Sequence, residues 1–131
     1  MKTTGLNIAA TVAILFGALT VLSGGRALFG GPAARAAVGD AVPFVLWFNF
    51  LSGFAYVAAG IGIWLRKDWA RALAALLAVA ITVVFGLFWL HVAQGGAFEM
   101  RTVGAMILRA AVWIVIALYL HRVRGGFRRP E

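Results

Sequence analysis

The chain contains no cysteine, which excludes disulfides, thiolate metal sites and dithiol redox chemistry together. Any redox role would have to rest on a bound cofactor or on a partner chain. Acidic residues are nearly as scarce, with Asp40, Asp68, Glu99 and Glu131 the whole set. No paired-carboxylate, Ser-His-Asp, phosphate-loop or glycosidase pattern is present, so the common hydrolytic and phosphoryl-transfer classes lack their chemistry. Histidine occurs twice, at His91 and His121. Proline is confined to Pro32, Pro43 and Pro130, and none of them interrupts a long apolar run.

Those apolar runs dominate what is there. Hydrophobic residues fill 63% of the 131 positions and charged residues 12%, against roughly 45–50% and about 25% in a soluble domain. Mean hydropathy is +0.97. The composition is that of an integral membrane protein, read as one domain over residues 1–131. The formal charge of +8 does not point to nucleic acid, because the basic residues cluster at the ends of apolar segments. Anionic lipid headgroups are the natural counter-charge.

Four segments approach or exceed the roughly 20 residues that a bilayer core demands: residues 6–23, 44–65, 69–92 and 102–120. With no water to satisfy backbone groups in lipid, each is predicted to be a helix, and the fold class is an all-α four-transmembrane-helix bundle. The connections are loops at 24–42 and 93–101, a basic turn at 66–68 and a basic tail at 121–131. The turn is short enough to make helices two and three antiparallel neighbours, and no repeat relates the two halves. Lys2, a long apolar run and the later stretch AARAAV also resemble a secretory signal. The run is longer than the usual signal core of about 7–15 residues, so a retained helix is expected.

Basic residues set the orientation. With the N-terminus inside, the inner side carries Lys2, Arg66, Lys67, Arg71, Arg122, Arg124, Arg128 and Arg129, and the outer side only Arg26, Arg35 and Arg101. The positive-inside rule then places both termini in the cytoplasm, as in a bacterial inner membrane, with loops 24–42 and 93–101 outside. The same bias argues against a dual-topology exporter.

Spacing suggests faces. In the first helix Ala10, Ala13, Gly17, Thr20 and Gly24 share a stripe, and in the third Ala75, Ala78, Thr82, Gly86 and Trp89 do the same. Small residues let helices approach closely in lipid, so both stripes are expected to be packing faces. The second helix shows Asn49, Ser52, Tyr56, Ala59 and Ile63 on one side.

The twelfth basic residue, Arg109, lies inside the fourth segment, about 12 Å from Arg101 at 1.5 Å per residue. A charge at a helix centre costs about 2.5–3.5 kcal/mol on insertion scales and usually faces the interior, pairs, or marks function. By depth, Thr20, Asn49, Ser52, Tyr56, His91 and Arg109 fall in the outer half of the bundle, with Trp113 one turn below Arg109. The candidate ligand-binding set is therefore Asn49, Tyr56, His91, Arg109 and Trp113. Each has a plainer reading beside it: Arg109 as an anchor ion-paired with Glu99, His91 as a polar cap, Asn49 as an interhelical hydrogen bonder. The aromatic clusters FVLWFNF (44–50) and FGLFWLH (85–91) read as an interfacial belt or core, or as stacking walls for a flat ring. His91 and His121 stand at opposite ends, so one chain cannot clamp a haem between them. A copper site from Met100, Glu99 and His91 lacks any repeated ligand pattern.

The stretch FNFLSGFAYVAAGIGIWLRKDWARALAALLAVAITVVFGLFWLH, 48–91, resembles the second and third helices of DoxX-like small membrane proteins: a Gly/Ala-rich helix, a short basic turn, an Ala/Leu-rich helix and a terminal His. It covers about a third of the chain. The resemblance implies four helices and, for some relatives, association with quinone-linked redox complexes. The chain departs from that pattern in its long outer loop and in lacking a charge within its first helix.

The function expected from these observations is a non-enzymatic small membrane subunit or binding protein with an outward-facing polar pocket, holding a quinone or a lipid. An oligomeric permease for a small solute or anion is the alternative, and a subunit of a quinone-dependent redox enzyme a further one. Expected partners are membrane lipids and either further copies of the chain or a larger membrane complex.

Overall fold

A computed structural model describes residues 2–33, 36, 39 and 42–123, and of Lys2 and Thr3 the backbone alone. Arg35, Asp40 and the tail 124–131 lie outside the described residues. Four helices make the fold: α1 (Lys2–Phe29), α2 (Pro43–Trp64), α3 (Trp69–Ala93) and α4 (Met100–Arg122). All four are long and apolar enough to cross a membrane, and no strand occurs among the described residues. The chain is an integral membrane four-helix bundle. Its turn end carries the 66–68 connection, the start of α1 and the end of α4. Its loop end carries the connections after α1 and α3.

Three helices begin and end within two residues of their expected limits, but α1 runs six residues beyond Ser23. Its 28 residues span about 42 Å at 1.5 Å per residue, against a hydrocarbon core of about 30 Å. The pair Gly24–Gly25 does not stop it. Gly24 is buried against Phe50 of α2, and Phe29 meets Trp47 and Phe50 edge-on at 5.7 and 5.6 Å. The α1–α2 packing thus carries the helix past the point where its glycines would end it in water.

That packing is the closest in the bundle. A β-carbon on Gly17 would lie 2.7 Å from the Gly53 carbonyl oxygen, and one on Gly60 would lie 2.9 Å from the Ala10 carbonyl oxygen. The α1 stripe Ala10, Ala13, Gly17, Thr20 and Gly24 is buried throughout, as its spacing predicts. On α2, Ser52, Tyr56, Ala59 and Ile63 are buried and Asn49 half-buried. The α3 stripe is different. Ala78 is buried, but Thr82, Gly86 and Trp89 are exposed, and nothing lies within 4 Å of a β-carbon on Gly86. The true inner face of α3 is Ala70, Ala74, Leu77, Ala78, Ile81 and Phe88. In lipid an alanine-leucine helix has no polar side to mark its outside, so small residues alone misplace the face.

The turns are fixed by backbone geometry. Pro43 opens α2 at a position whose N–H has no helical partner. At its other end Lys67 N–H donates to Gly62 O and Arg66 N–H to Ile63 O, a Schellman closure with Arg66 in the left-handed region at φ 58. The Arg66 guanidinium donates to Ile63 O at 2.7 Å and to Asn7 Oδ1 of α1 at 3.0 Å, so one side chain caps α2 and ties it to α1. Asp68 and Arg71 pair at 2.8 Å in the first turn of α3. The helix α3 closes likewise, with Gly95 at φ 83 in the left-handed position and Gly96 N–H donating to His91 O.

Candidate functional site

A cavity of about 300 Å³ opens at the loop end among α1, α2 and α4. Helix α1 contributes Thr20 and Ser23, α2 and its entry contribute Asn49 beneath a wall of Val42, Val45 and Leu46, and α4 and its entry contribute Glu99, Arg101, Thr102, Ala105 and Arg109. Helical spacing explains the α4 set, because Thr102, Ala105 and Arg109 stand three and four residues apart on one face. Glu99 and Arg101 lie at the helix start and Arg109 about two turns further in, so the charged side chains occupy the mouth and the floor.

Below the floor three helices interlock through rings. Tyr56 of α2 stacks on Phe16 of α1 at 5.7 Å and 11°, and meets Trp113 of α4 at 4.9 Å. Tyr56 and Trp113 are fully buried. The Arg109 guanidinium lies over the Phe16 ring at 5.8 Å, within the range of a cation–π contact, and has the neutral Tyr56 phenol beside it. Neither contact neutralises it.

The polar atoms here are poorly satisfied. Asn49 Oδ1, Tyr56 Oη, Arg109 Nε and Trp113 Nε1 are buried without a hydrogen-bond partner. A buried donor or acceptor in that state costs about 1–3 kcal/mol, so four in one region mark it as unlike the rest of the bundle. They are unevenly matched. Arg109 and Trp113 only donate, Tyr56 does either, and the Asn49 oxygen only accepts. The cavity floor is short of acceptors and carries a positive charge.

Of the five residues expected from sequence, the structure brings four together: Asn49 and Arg109 line the cavity, and Tyr56 and Trp113 form the layer beneath. His91 is not among them. Its Nε2 lies 2.9 Å from Ala97 O, its ring meets Phe44 at 6.2 Å, and a β-carbon on Gly96 would collide with it. His91 closes the end of α3, on a helix that does not border the cavity. The Glu99–Arg109 ion pair is also not formed, since Asp68–Arg71 is the only salt bridge shown among the described residues. Ten residues of helix separate Glu99 from Arg109, about 15 Å. The Glu99 carboxylate instead faces Gly39, where a β-carbon would stand 2.7 Å from Oε1.

Phe16 is the residue that spacing could have found, because it continues the Thr20 and Ser23 face one turn deeper. The aromatic clusters do not wall the cavity. Phe50 packs on α1 and meets the exposed Trp47 and Phe54 edge-on, while Phe88 is buried and Trp89 exposed on α3. Among the described residues no three His, Cys, Asp or Glu side chains group to hold a metal ion. His121 at the turn end uses Nδ1 to bond Ala117 O at 2.8 Å. A scan against protein-family models, a search of curated proteins and a search of solved structures returned no match for the chain.

Proposed function

We propose that this chain is a non-enzymatic membrane binding protein, whose loop-end cavity receives an anionic or carbonyl-bearing ligand on Arg109. The observation that carries the reading is a guanidinium at the floor of an open cavity, with no carboxylate in ion-pair range among the described residues and Nε and the neighbouring Asn49 Oδ1 unpartnered. A membrane-embedded charge is ordinarily paired, and a ligand with two acceptor oxygens matches the planar guanidinium fork. Thr20, Ser23 and Thr102 add hydroxyls that donate or accept as the ligand requires. The cavity lies at the small end of the range for small-molecule sites, roughly 300–1,000 Å³.

The excess of basic residues at the turn end supports an orientation with both termini cytoplasmic, so that the cavity faces outward from a bacterial inner membrane. Reporters fused at Glu131 and within 66–68 would then read cytoplasmic and a tag at Gly31 external; an external signal at Glu131 overturns the orientation. The DoxX-like resemblance, with a quinone as the carbonyl-bearing ligand and a redox complex as partner, belongs to the same proposal.

Native mass spectrometry of gently purified protein tests the binding role. Wild type is expected to retain an anionic or carbonyl compound that Arg109→Gln loses and Arg109→Lys holds markedly less well. Identical retention by all three, each still folded, would refute a binding role for Arg109.

A further inference from the structure

A second cavity of about 470 Å³ lies on the same side of the bundle, between α1 and α4 in the turn-end half. Its walls are apolar, with Ile8 and Val12 on α1 and Val112, Val115 and Ile116 on α4. Ile8, Val12 and Val115 are more than two-fifths exposed, so this space is a groove open sideways to the membrane. It follows from the packing already described: α1 is drawn against α2 through Gly17 and Gly53 and leaves its seam with α4 loosely filled.

The two spaces belong to one seam. On α1 the line Gly5, Ala9, Val12, Phe16, Thr20, Ser23 advances by threes and fours, and on α4 so does Thr102, Ala105, Arg109, Val112, Ile116, Tyr119. Each line passes from the polar cavity to the apolar groove without changing face. The helices touch at the join, where the Arg109 guanidinium covers Phe16, and at the far end, where Tyr119 meets Gly5. From Arg109 to the far end of the groove at Tyr119 is ten residues of helix, about 15 Å.

We propose that the seam binds a single-chain amphiphile with a carboxylate head, the head on Arg109 in the polar cavity and the alkyl chain in the groove. This rests on the anion-binding reading of Arg109 and names the class of ligand. The charge is complementary: the one cation at the join has no carboxylate within ion-pair range among the described residues, and the head supplies it. The length also agrees. Carbon–carbon bonds of about 1.5 Å in an extended zigzag put about twelve carbons along those roughly 15 Å. The open side of the groove lets the chain enter from the bilayer, where such molecules are dissolved, and the polar half of the seam accepts only the head.

Equilibrium binding of labelled laurate, butyrate and dodecanol to the purified full chain in phosphatidylcholine nanodiscs, with empty nanodiscs subtracted, tests the proposal. Laurate is expected to bind at least about tenfold more tightly than butyrate, through the added buried methylenes, and also more tightly than neutral dodecanol. Arg109→Gln should abolish laurate and butyrate binding alike. Val12→Trp and Ala111→Phe fill the groove from exposed positions that the fold does not need; each should bring laurate down toward butyrate while leaving butyrate unchanged. Equal binding of laurate and butyrate, equal binding of laurate and dodecanol, or laurate binding untouched by both groove variants overturns the amphiphile proposal. Butyrate binding that depends on Arg109 would in those cases leave the anion reading standing. No carboxylate binding by folded wild type would end both.

Discussion

Replacing Gly17 by alanine adds one methyl group where α1 lies directly against the α2 backbone. The new carbon would stand 2.7 Å from the Gly53 carbonyl oxygen, 2.7 Å from a Val57 methyl and 2.9 Å from the Tyr56 β-carbon. The valine methyl can rotate away, but the other two atoms are fixed to the α2 backbone, so the helices must part by several tenths of an ångström. Overpacking of this kind costs about 1–3 kcal/mol. Against it stands the better helix propensity of alanine, about 0.5–1 kcal/mol over glycine. The net expectation is a loss of up to about 2.5 kcal/mol. Gly86→Ala is the matched control, since nothing lies within 4 Å of its β-carbon; only the propensity gain remains, and stability should rise by about 0.5–1 kcal/mol. The assay is reversible unfolding in mixed micelles with increasing denaturing detergent. The same chemical change should move the two midpoints in opposite directions. A Gly17→Ala midpoint at or above wild type would refute the close-contact argument. Because Tyr56 rides on the displaced segment, the layer beneath the cavity floor should loosen as well.

Arg66→Ala and Arg66→Gly both remove the bonds to Ile63 O and Asn7 Oδ1, a loss of about 1–3 kcal/mol; the glycine variant should recover about 1 kcal/mol of it, because φ 58 suits glycine, and equal midpoints would contradict this account of the turn. Tyr56→Phe removes a buried hydroxyl without a partner, so unfolding of the unliganded chain should show unchanged or slightly raised stability; a loss above about 1 kcal/mol would show that the hydroxyl is bonded. His91→Ala should lower stability by about 1 kcal/mol through the lost bond to Ala97 O and leave butyrate binding unchanged, whereas weakened butyrate binding would put His91 back beside the ligand.

The apolar runs made the four helices legible, because backbone groups in lipid leave no other structure available to segments of that length. Counting residues along each run also sets depth, which is why Asn49, Tyr56, Arg109 and Trp113 fall at neighbouring levels of the bundle. Rotation about the helix axis is a separate quantity, and depth does not contain it. His91 has the expected depth but stands on α3, outside the cavity. Gly86 was misread for the same reason, since an apolar helix in lipid presents chemically similar faces to protein and to bilayer. On α1 the stripe reading succeeded because Gly17 and Gly24 meet a partner whose own Gly53 and Phe50 were shaped for close approach. The open α1–α4 seam had no sequence signal of its own; it results from where the glycines pull α1.

An arginine that only anchored α4 would be expected to close its own account of hydrogen bonds within the protein. The described residues do not supply that closure. Glu99 turns to Gly39, Asn49 Oδ1 and Arg109 Nε are not engaged, and the guanidinium rests over the face of the Phe16 ring. Arginine presents five donors in a rigid fork, and the neighbouring Trp113 adds one more that is also unmatched. What would satisfy the region is a group rich in acceptors, small enough for the cavity and negatively charged. A carboxylate has that combination, with about four lone-pair sites on two oxygens spaced for bidentate pairing. On the proposed reading, the cost that makes the empty arrangement unfavourable as a structural device would be recovered when such a head binds.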